Sequence, residues 1–232
     1  MKYDFVLMDA DETLLDFRKS EQAAFRNTFI KYGLIPDEEI FQLYSRINHG
    51  LWGAYERGQI TKEDILRRRF RETFQAAGIK GEFPGLEEYY QNALSEGSYR
   101  IEGAEEVCSR LAETCSLCLV TNGVASTQRR RMKESGLQQY FQQMFISEEV
   151  GYQKPQIDFF KYVFARIPGF DKSRALIVGD SLTSDIAGGR NAGIATCWFC
   201  RHGIPEDGAG KADYVICDLR KLCLIVGEQE DE

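Results

Sequence analysis

The chain has 232 residues, 43% of them hydrophobic, so it can bury a substantial core and is not globally disordered. Its 36 acidic against 29 basic residues give a formal net charge of −7, which argues against a broad footprint on nucleic acid or an anionic membrane. No apolar run reaches the roughly 18–20 residues of a membrane span. Met1-Lys2-Tyr3-Asp4 leads straight into a strand-like run, without the apolar stretch and cleavage site of a signal peptide, so the expected compartment is the cytoplasm.

The first predicted element is a strand, Phe5–Met8, followed at once by Asp9-Ala10-Asp11-Glu12-Thr13. Side chains two apart on an extended backbone point the same way, so Asp9 and Asp11 face one side. Paired carboxylates repel unless a cation lies near or one takes a proton. A hard cation such as Mg²⁺ suits them, because it prefers oxygen ligands. Alone, such a pair is more often an ordinary turn or helix cap.

From Asp16 to Ser98 no strand is predicted. Phe25 and Phe29 mark one helix, and Ile40, Leu43, Tyr44, Ile47, Leu51, Trp52 and Tyr55 form an apolar stripe at helical spacing on a second. Thr61-Lys62-Glu63-Asp64 reads as a variant capping box opening a third, which Gly78 closes, and Leu86–Leu94 is a fourth. Trp52 reads as core of this helical block, and Arg67-Arg68-Arg69 as a solvated face, since three successive residues cannot share one side of a helix.

Beyond Gly103 the segments alternate. Helices are predicted at Gly103–Glu113, Ser126–Ser135, from Pro155 to Pro168-Gly169, and at Ser184–Ala192. Between them lie short apolar strands at Leu117–Val120, Met144–Ile146, Ala175–Val178, Ala195–Phe199 and Tyr214–Ile216. Such alternation implies an α/β fold with a parallel sheet and right-handed crossovers. The acidic end, Gly227–Glu232, reads as frayed.

The seven cysteines include two Cys-x-x-Cys pairs, Cys115/Cys118 and Cys197/Cys200. The pairs lie too far apart for a zinc ribbon, and positions i and i+3 of a strand face opposite sides. They read as buried thiols in a reducing compartment.

In an open α/β sheet, ligands gather beyond the carboxyl ends of the strands. Those ends supply Asp9, Asp11 and Thr13; then Thr121-Asn122-Gly123; then, after a short loop, Lys154-Pro155; then Gly179-Asp180 and Asp185. Taken singly, Thr121 could end a strand, Lys154 could be a surface lysine, and Asp180 and Asp185 could cap a helix. Together they meet the needs of phosphoryl transfer: a nucleophilic carboxylate, a second carboxyl to move protons, and a hydroxyl and an ammonium for the transferring oxygens.

On these motifs, Asp9-x-Asp11-x-Thr13, Thr121-Asn122-Gly123, Lys154-Pro155 and Gly179-Asp180-x(4)-Asp185, the chain resembles the haloacid dehalogenase-like hydrolases of the phosphatase branch. The resemblance spans the chain. It implies a Rossmann-like catalytic core, residues 1–15 and 99–232, with an all-helical cap domain inserted at 16–98. It makes Asp9 the nucleophile, Asp11 the general acid/base, and Thr121, Asn122 and Lys154 the phosphate ligands, with Lys154 also quieting the charge of Asp9. Mg²⁺ would sit on Asp9, the main-chain carbonyl of Asp11, and Asp180, with Asp185 behind them or a ligand through water. Members that dehalogenate lack the second aspartate, so Asp11 favours phosphate esters.

Asp-Ala-Asp-Glu-Thr-Leu-Leu-Asp-Phe, Asn48-x-x-x-Trp52 and the stretch Gly58–Thr61 further resemble the house-cleaning pyrimidine 5′-nucleotidases. That likeness implies a nucleoside monophosphate as substrate and puts Asp16, Phe17, Asn48 and Trp52 among the cap-side substrate residues. A small phosphorylated metabolite is the expected partner, with no nucleic acid or membrane, and the expected state is a monomer or weak homodimer. Sugar-phosphate or phosphoglycolate phosphatases and phosphomutases share the core motifs and stay open as alternatives, as does a non-catalytic binding module on the same fold.

Overall fold

The computed structural model describes residues 1–205 and 210–227. Six strands form one sheet: β1 (Phe5–Met8), β2 (Ser116–Thr121), β3 (Gln143–Ile146), β4 (Ala175–Gly179), β5 (Ala195–Phe199) and β6 (Tyr214–Ile216). Their order is β3-β2-β1-β4-β5-β6 and every pairing is parallel. The order reverses at β1, where a doubly wound sheet opens its ligand crevice. All six predicted strands are present, and those at the centre of the sheet are buried on both faces. Val6, Met8, Leu117, Leu119, Leu176 and Val178 pack on one side, and Leu7, Cys118, Val120 and Ile177 on the other. A strand in that position must be apolar throughout, which is why its sequence does not alternate.

Helices α5 (Ala104–Ala112), α6 (Ala125–Glu134), α7 (Ser147–Val150), α8 (Ile157–Phe164), α9 (Ala187–Ala192) and α10 (Leu222–Gly227) belong to the same unit, numbered after the four of the helical block. Two helix starts differ from expectation. Pro155 does not open α8, which begins at Ile157, because the main chain of Lys154 is tied on both sides to the amide of Asn122. The helix expected from Ser184 is instead a π-helical turn, Leu182–Ile186, running into α9.

The chain divides into two compact units, 1–17 with 98–232, and 18–97. Where the first unit passes into the second, Leu14 and Asp16 lie beside Ile101 and Tyr99: the Asp16 N–H donates to the Tyr99 carbonyl at 2.8 Å, and the Ile101 N–H to the Leu14 carbonyl at 2.9 Å.

The second unit is all helical: α1 (Phe17–Lys31), α2 (Glu38–Glu56), α3 (Lys62–Ala77) and α4 (Leu86–Glu96). Thr61 and Asp64 close a reciprocal capping box on α3, and Gly78 ends it in the left-handed region. The core is aromatic, with Phe25 stacked on Phe29 at 4.0 Å and Tyr44 on Phe70 at 4.8 Å. Arg69 corrects the reading of its basic run. Arg67 is exposed, but Arg69 is buried, paired with Glu87 and lying 4.5 Å over the ring of Tyr90. Successive helical residues point in different directions, so one of three can turn inward where a carboxylate meets it.

Of the acidic end expected to fray, residues 228–232 lie outside the described residues. Among the described residues no helix is long and apolar enough to cross a membrane.

Candidate active site

After β1 the chain turns sharply, with the Leu14 and Leu15 N–H groups both donating to the Ala10 carbonyl. Glu12 takes φ +57°, a left-handed conformation that costs a non-glycine residue on the order of 1 kcal/mol. The turn sets Asp9 and Asp11 at the carboxyl end of the central strand, next to the ends of β2 and β4.

Lys154 is the hub. Its ammonium donates to Asp9 Oδ1 at 2.6 Å, to Asp185 Oδ1 at 2.6 Å and to the Val120 carbonyl at 2.7 Å, which uses all three of its protons. The lysine is 1% exposed. Asn122 seats it, donating from Nδ2 to the Lys154 carbonyl and accepting at Oδ1 from the Lys154 N–H, both at 2.9 Å. The side chain expected among the phosphate ligands therefore spends its amide on the lysine's main chain.

Asp185 is buried, and its Oδ2 accepts from the Ser181 N–H at 3.1 Å. A Cβ on Gly179 would lie 2.2 Å from that oxygen, so only glycine leaves room for Asp185 to reach Lys154. The π-helical turn serves the same placement, since the Asp185 and Ile186 N–H groups both donate to the Ser181 carbonyl.

Asp9, Asp180 and Asp185 each bring a carboxylate oxygen within 4.8 Å of the others. Asp9 Oδ2 has no hydrogen-bond partner among the described residues, nor has the carboxylate of Asp180, whose main-chain carbonyl accepts from Trp198 Nε1 at 2.7 Å. Burial pushes the Asp9 carboxyl up to about 8. Lys154 opposes the shift, while the charges of Asp185 and Asp11 add to it. Asp180 is raised well above the ordinary carboxylate range, first by burial and then by Asp9, Asp185 and Glu12. Burial alone would lower the Lys154 ammonium, but Asp185 and Asp9 outweigh it and hold its proton more tightly than usual. Ionised together, three carboxylates against one ammonium would carry a surplus of negative charge, which a hard divalent cation would neutralise.

Asp11 faces away from Lys154. Its Oδ1 pairs with Arg131 and its Oδ2 accepts from Gln128 Nε2 at 2.8 Å. Gln128 Nε2 also donates to Thr121 Oγ1 at 2.8 Å, and the Gly123 N–H donates to the same hydroxyl at 3.1 Å. The sequence reading missed Gln128 and Arg131. Nothing in a local pattern marks a helical glutamine and arginine as buried; the only cue was their place one and two turns into the helix after Thr121-Asn122-Gly123. The Thr13 hydroxyl is buried without a hydrogen-bond partner among the described residues.

Of the residues expected to meet substrate, Asp16 Oδ2 accepts from Arg201 at 2.9 Å, and the ring of Phe17 lies 5.7 Å below the Arg131 guanidinium. Within the helical unit, Asn48 is buried and donates to Glu21 at 2.8 Å, while Trp52 packs against Leu51, Tyr55 and Ile65 with the Lys62 ammonium 6.0 Å from its ring. The two thiols of each Cys-x-x-Cys pair are separated, as buried core residues. Cys115 and Cys118 lie in core clusters on opposite faces of the sheet, and Cys197 and Cys200 lie in different clusters.

The family described as haloacid dehalogenase-like hydrolase matches residues 6–199. The chain is 34% identical over 223 residues to the pyrimidine 5′-nucleotidase PynA of Streptococcus pneumoniae, covering 96% of this chain and 94% of that protein. It is 36% identical over 203 residues to the pyrimidine 5′-nucleotidase YjjG of Escherichia coli, covering 87% and 88%. With the HAD-hydrolase YfnB of Bacillus subtilis the identity is 41% over 198 residues, covering 85% and 84%. A crystal structure of YfnB bound to magnesium superposes with a TM-score of 0.91 at 37% identity, covering 98% of this chain and all of that one. With the sheet order, the strand-end constellation and these relatives in agreement, the chain belongs to the haloacid dehalogenase-like hydrolase family.

Proposed function

We propose that this hydrolase is a Mg²⁺-dependent phosphatase of small phosphate monoesters, nucleoside 5′-monophosphates first among them. The observation that carries the chemistry is the buried Lys154 between Asp9 and Asp185, with Asp11 set apart on its own partners. The two pyrimidine 5′-nucleotidases among the relatives support the choice of substrate.

The donor set fits the metal: oxygen ligands only, a surplus of negative charge, and an Asp180 carboxylate without a protein partner among the described residues. Asp9, Asp180 and the Asp11 main-chain carbonyl would hold it, with Asp185 behind. When bound it shields the charge of the phosphate against an anionic nucleophile.

The chain's own groups then divide the work. Lys154 holds Oδ1 of Asp9 and leaves Oδ2 to attack phosphorus. The phosphorus–oxygen ester bond breaks, and the departing oxygen takes a proton from Asp11. Water next attacks the phosphorus of the aspartyl-phosphate and gives its proton to Asp11. The phosphorus–oxygen bond to Asp9 breaks, phosphate leaves, and both carboxyl groups are restored. Thr121 holds a phosphoryl oxygen throughout.

The test is a Mg²⁺-supplemented screen of nucleoside monophosphates, sugar phosphates and phosphoglycolate, with Asp9→Asn as the blank. Nucleoside monophosphates are expected to lead, EDTA to abolish turnover and added Mg²⁺ to restore it. An active Asp9→Asn chain would overturn the mechanism, and a sugar phosphate at the head of the ranking would overturn the substrate class.

A further inference from the structure

We propose, on the phosphatase reading above, that Gln128 and Arg131 are positioning residues of the reaction: Arg131 sets the amide of Gln128, whose Nε2 then holds Asp11 and Thr121 together in working orientation.

The chain of contacts fixes each direction. A guanidinium can only donate, so Gln128 must turn its carbonyl oxygen to Arg131, which reaches Oε1 at 3.1 Å. That leaves the two protons of Nε2, one for Asp11 Oδ2 and one for Thr121 Oγ1, both at 2.8 Å. A hydroxyl offers one proton and two acceptor positions. Thr121 accepts from Gln128 and from the Gly123 N–H, so its acceptor positions are filled and its own proton points elsewhere. Such a hydroxyl is a committed donor, as a phosphoryl oxygen requires. Asp11 is fixed at both oxygens, by Arg131 and by Gln128, yet each oxygen keeps a lone-pair position that can carry the proton given to the departing oxygen and regained from water.

The surroundings are built for this. Arg131 and Gln128 are 0% and 1% exposed, and burying a guanidinium is expensive unless its partners are in place. Phe17 lies under Arg131. Gly123 carries no side chain because a Cβ there would come within 2.6 Å of Gln128 Nε2. The glycine of Thr121-Asn122-Gly123 is thus explained by the glutamine that needs its space.

The experiment compares kcat/KM with Mg²⁺ on p-nitrophenyl phosphate, whose leaving group departs readily without a proton, and on phenyl phosphate, whose leaving group needs one more. Gln128→Met keeps the shape and removes the amide; Arg131→Lys keeps the charge and loses the fork. Each is expected to lose about tenfold more on phenyl phosphate than on p-nitrophenyl phosphate. Asp11→Asn should show the same split more strongly, and combining it with either variant should cost far less than the product of the separate losses. Inorganic phosphate should inhibit Gln128→Met about tenfold more weakly than the parent, because Thr121 is no longer aimed. Should Arg131→Lys fail to fold, Gln128→Met decides by the same readouts. Equal losses on both esters, full additivity with Asp11→Asn, or unchanged inhibition by phosphate overturns the inference alone. A parent chain that hydrolyses neither ester overturns the phosphatase reading and the inference with it.

Discussion

A single buried residue here takes its meaning from its partners. The cysteines show the bland outcome. Cys118 packs in the core beneath the sheet, and burial pushes its thiol up to about 11; burial likewise raises Cys108 and Cys197 to about 12. At pH 8 these thiols stay protonated and are poor nucleophiles. A short pulse of iodoacetamide at pH 8, read by mass spectrometry, should label exposed Cys217 well ahead of Cys108, Cys118 and Cys197, which should react only after unfolding. Fast labelling of Cys118 would contradict its place in the core. Arg69 and Arg131 show the other outcome: both are cations hidden where the sequence suggested only solvated charge or nothing at all. Asp9, Asp11, Thr121, Lys154, Asp180 and Asp185 could be picked out because each stands at a strand end or in the segment that follows one. Gln128 and Arg131 could not, because their roles depend on which way a helix turns toward a strand far from it in sequence.

Elements were legible where one force dominates. The central strands read clearly because burial on both faces demands an unbroken apolar run, and α3 because Thr61, Asp64 and Gly78 mark both of its ends. Thr61 Oγ1 accepts from the Asp64 N–H at 3.1 Å, and Asp64 Oδ2 accepts from the Thr61 N–H at 3.0 Å. Thr61→Ala should cost about 1 kcal/mol of stability, measured by urea denaturation followed by circular dichroism, with hydrolysis of a small aryl phosphate little changed. A null effect would show the helix to be held by its aromatic face alone. Boundaries were misread where the site overrides local preference. Pro155 looks like a helix opener, yet Asn122 holds Lys154 out of the helix; the turn at Leu182–Ile186 widens because Asp185 has to reach Lys154.

For the whole molecule, the decisive fact is that β1 pairs with β2 and β4, both far along the chain. Closing so long a loop adds little to its entropic cost, since that cost grows only with the logarithm of length, and so an insertion after β1 is tolerated. The cost is in time, because non-local pairing is slow. In the unit 18–97 the densest helix pairing is that of α2 with α3, neighbours in sequence. In refolding followed by pulsed hydrogen exchange, amides in α2 and α3 should be protected before those of Val6, Leu7 and Met8. Simultaneous protection would show the two units to fold as one. Synthesis on the ribosome gives the same arrangement a further consequence. Asp9 and Asp11 are made before Lys154 and Asp180, which emerge only after the whole helical block and three strands of the sheet. A chain abandoned before β4 carries an attacking group with an incomplete site, and an apolar strand, Phe5–Met8, still waiting for at least one of its neighbours.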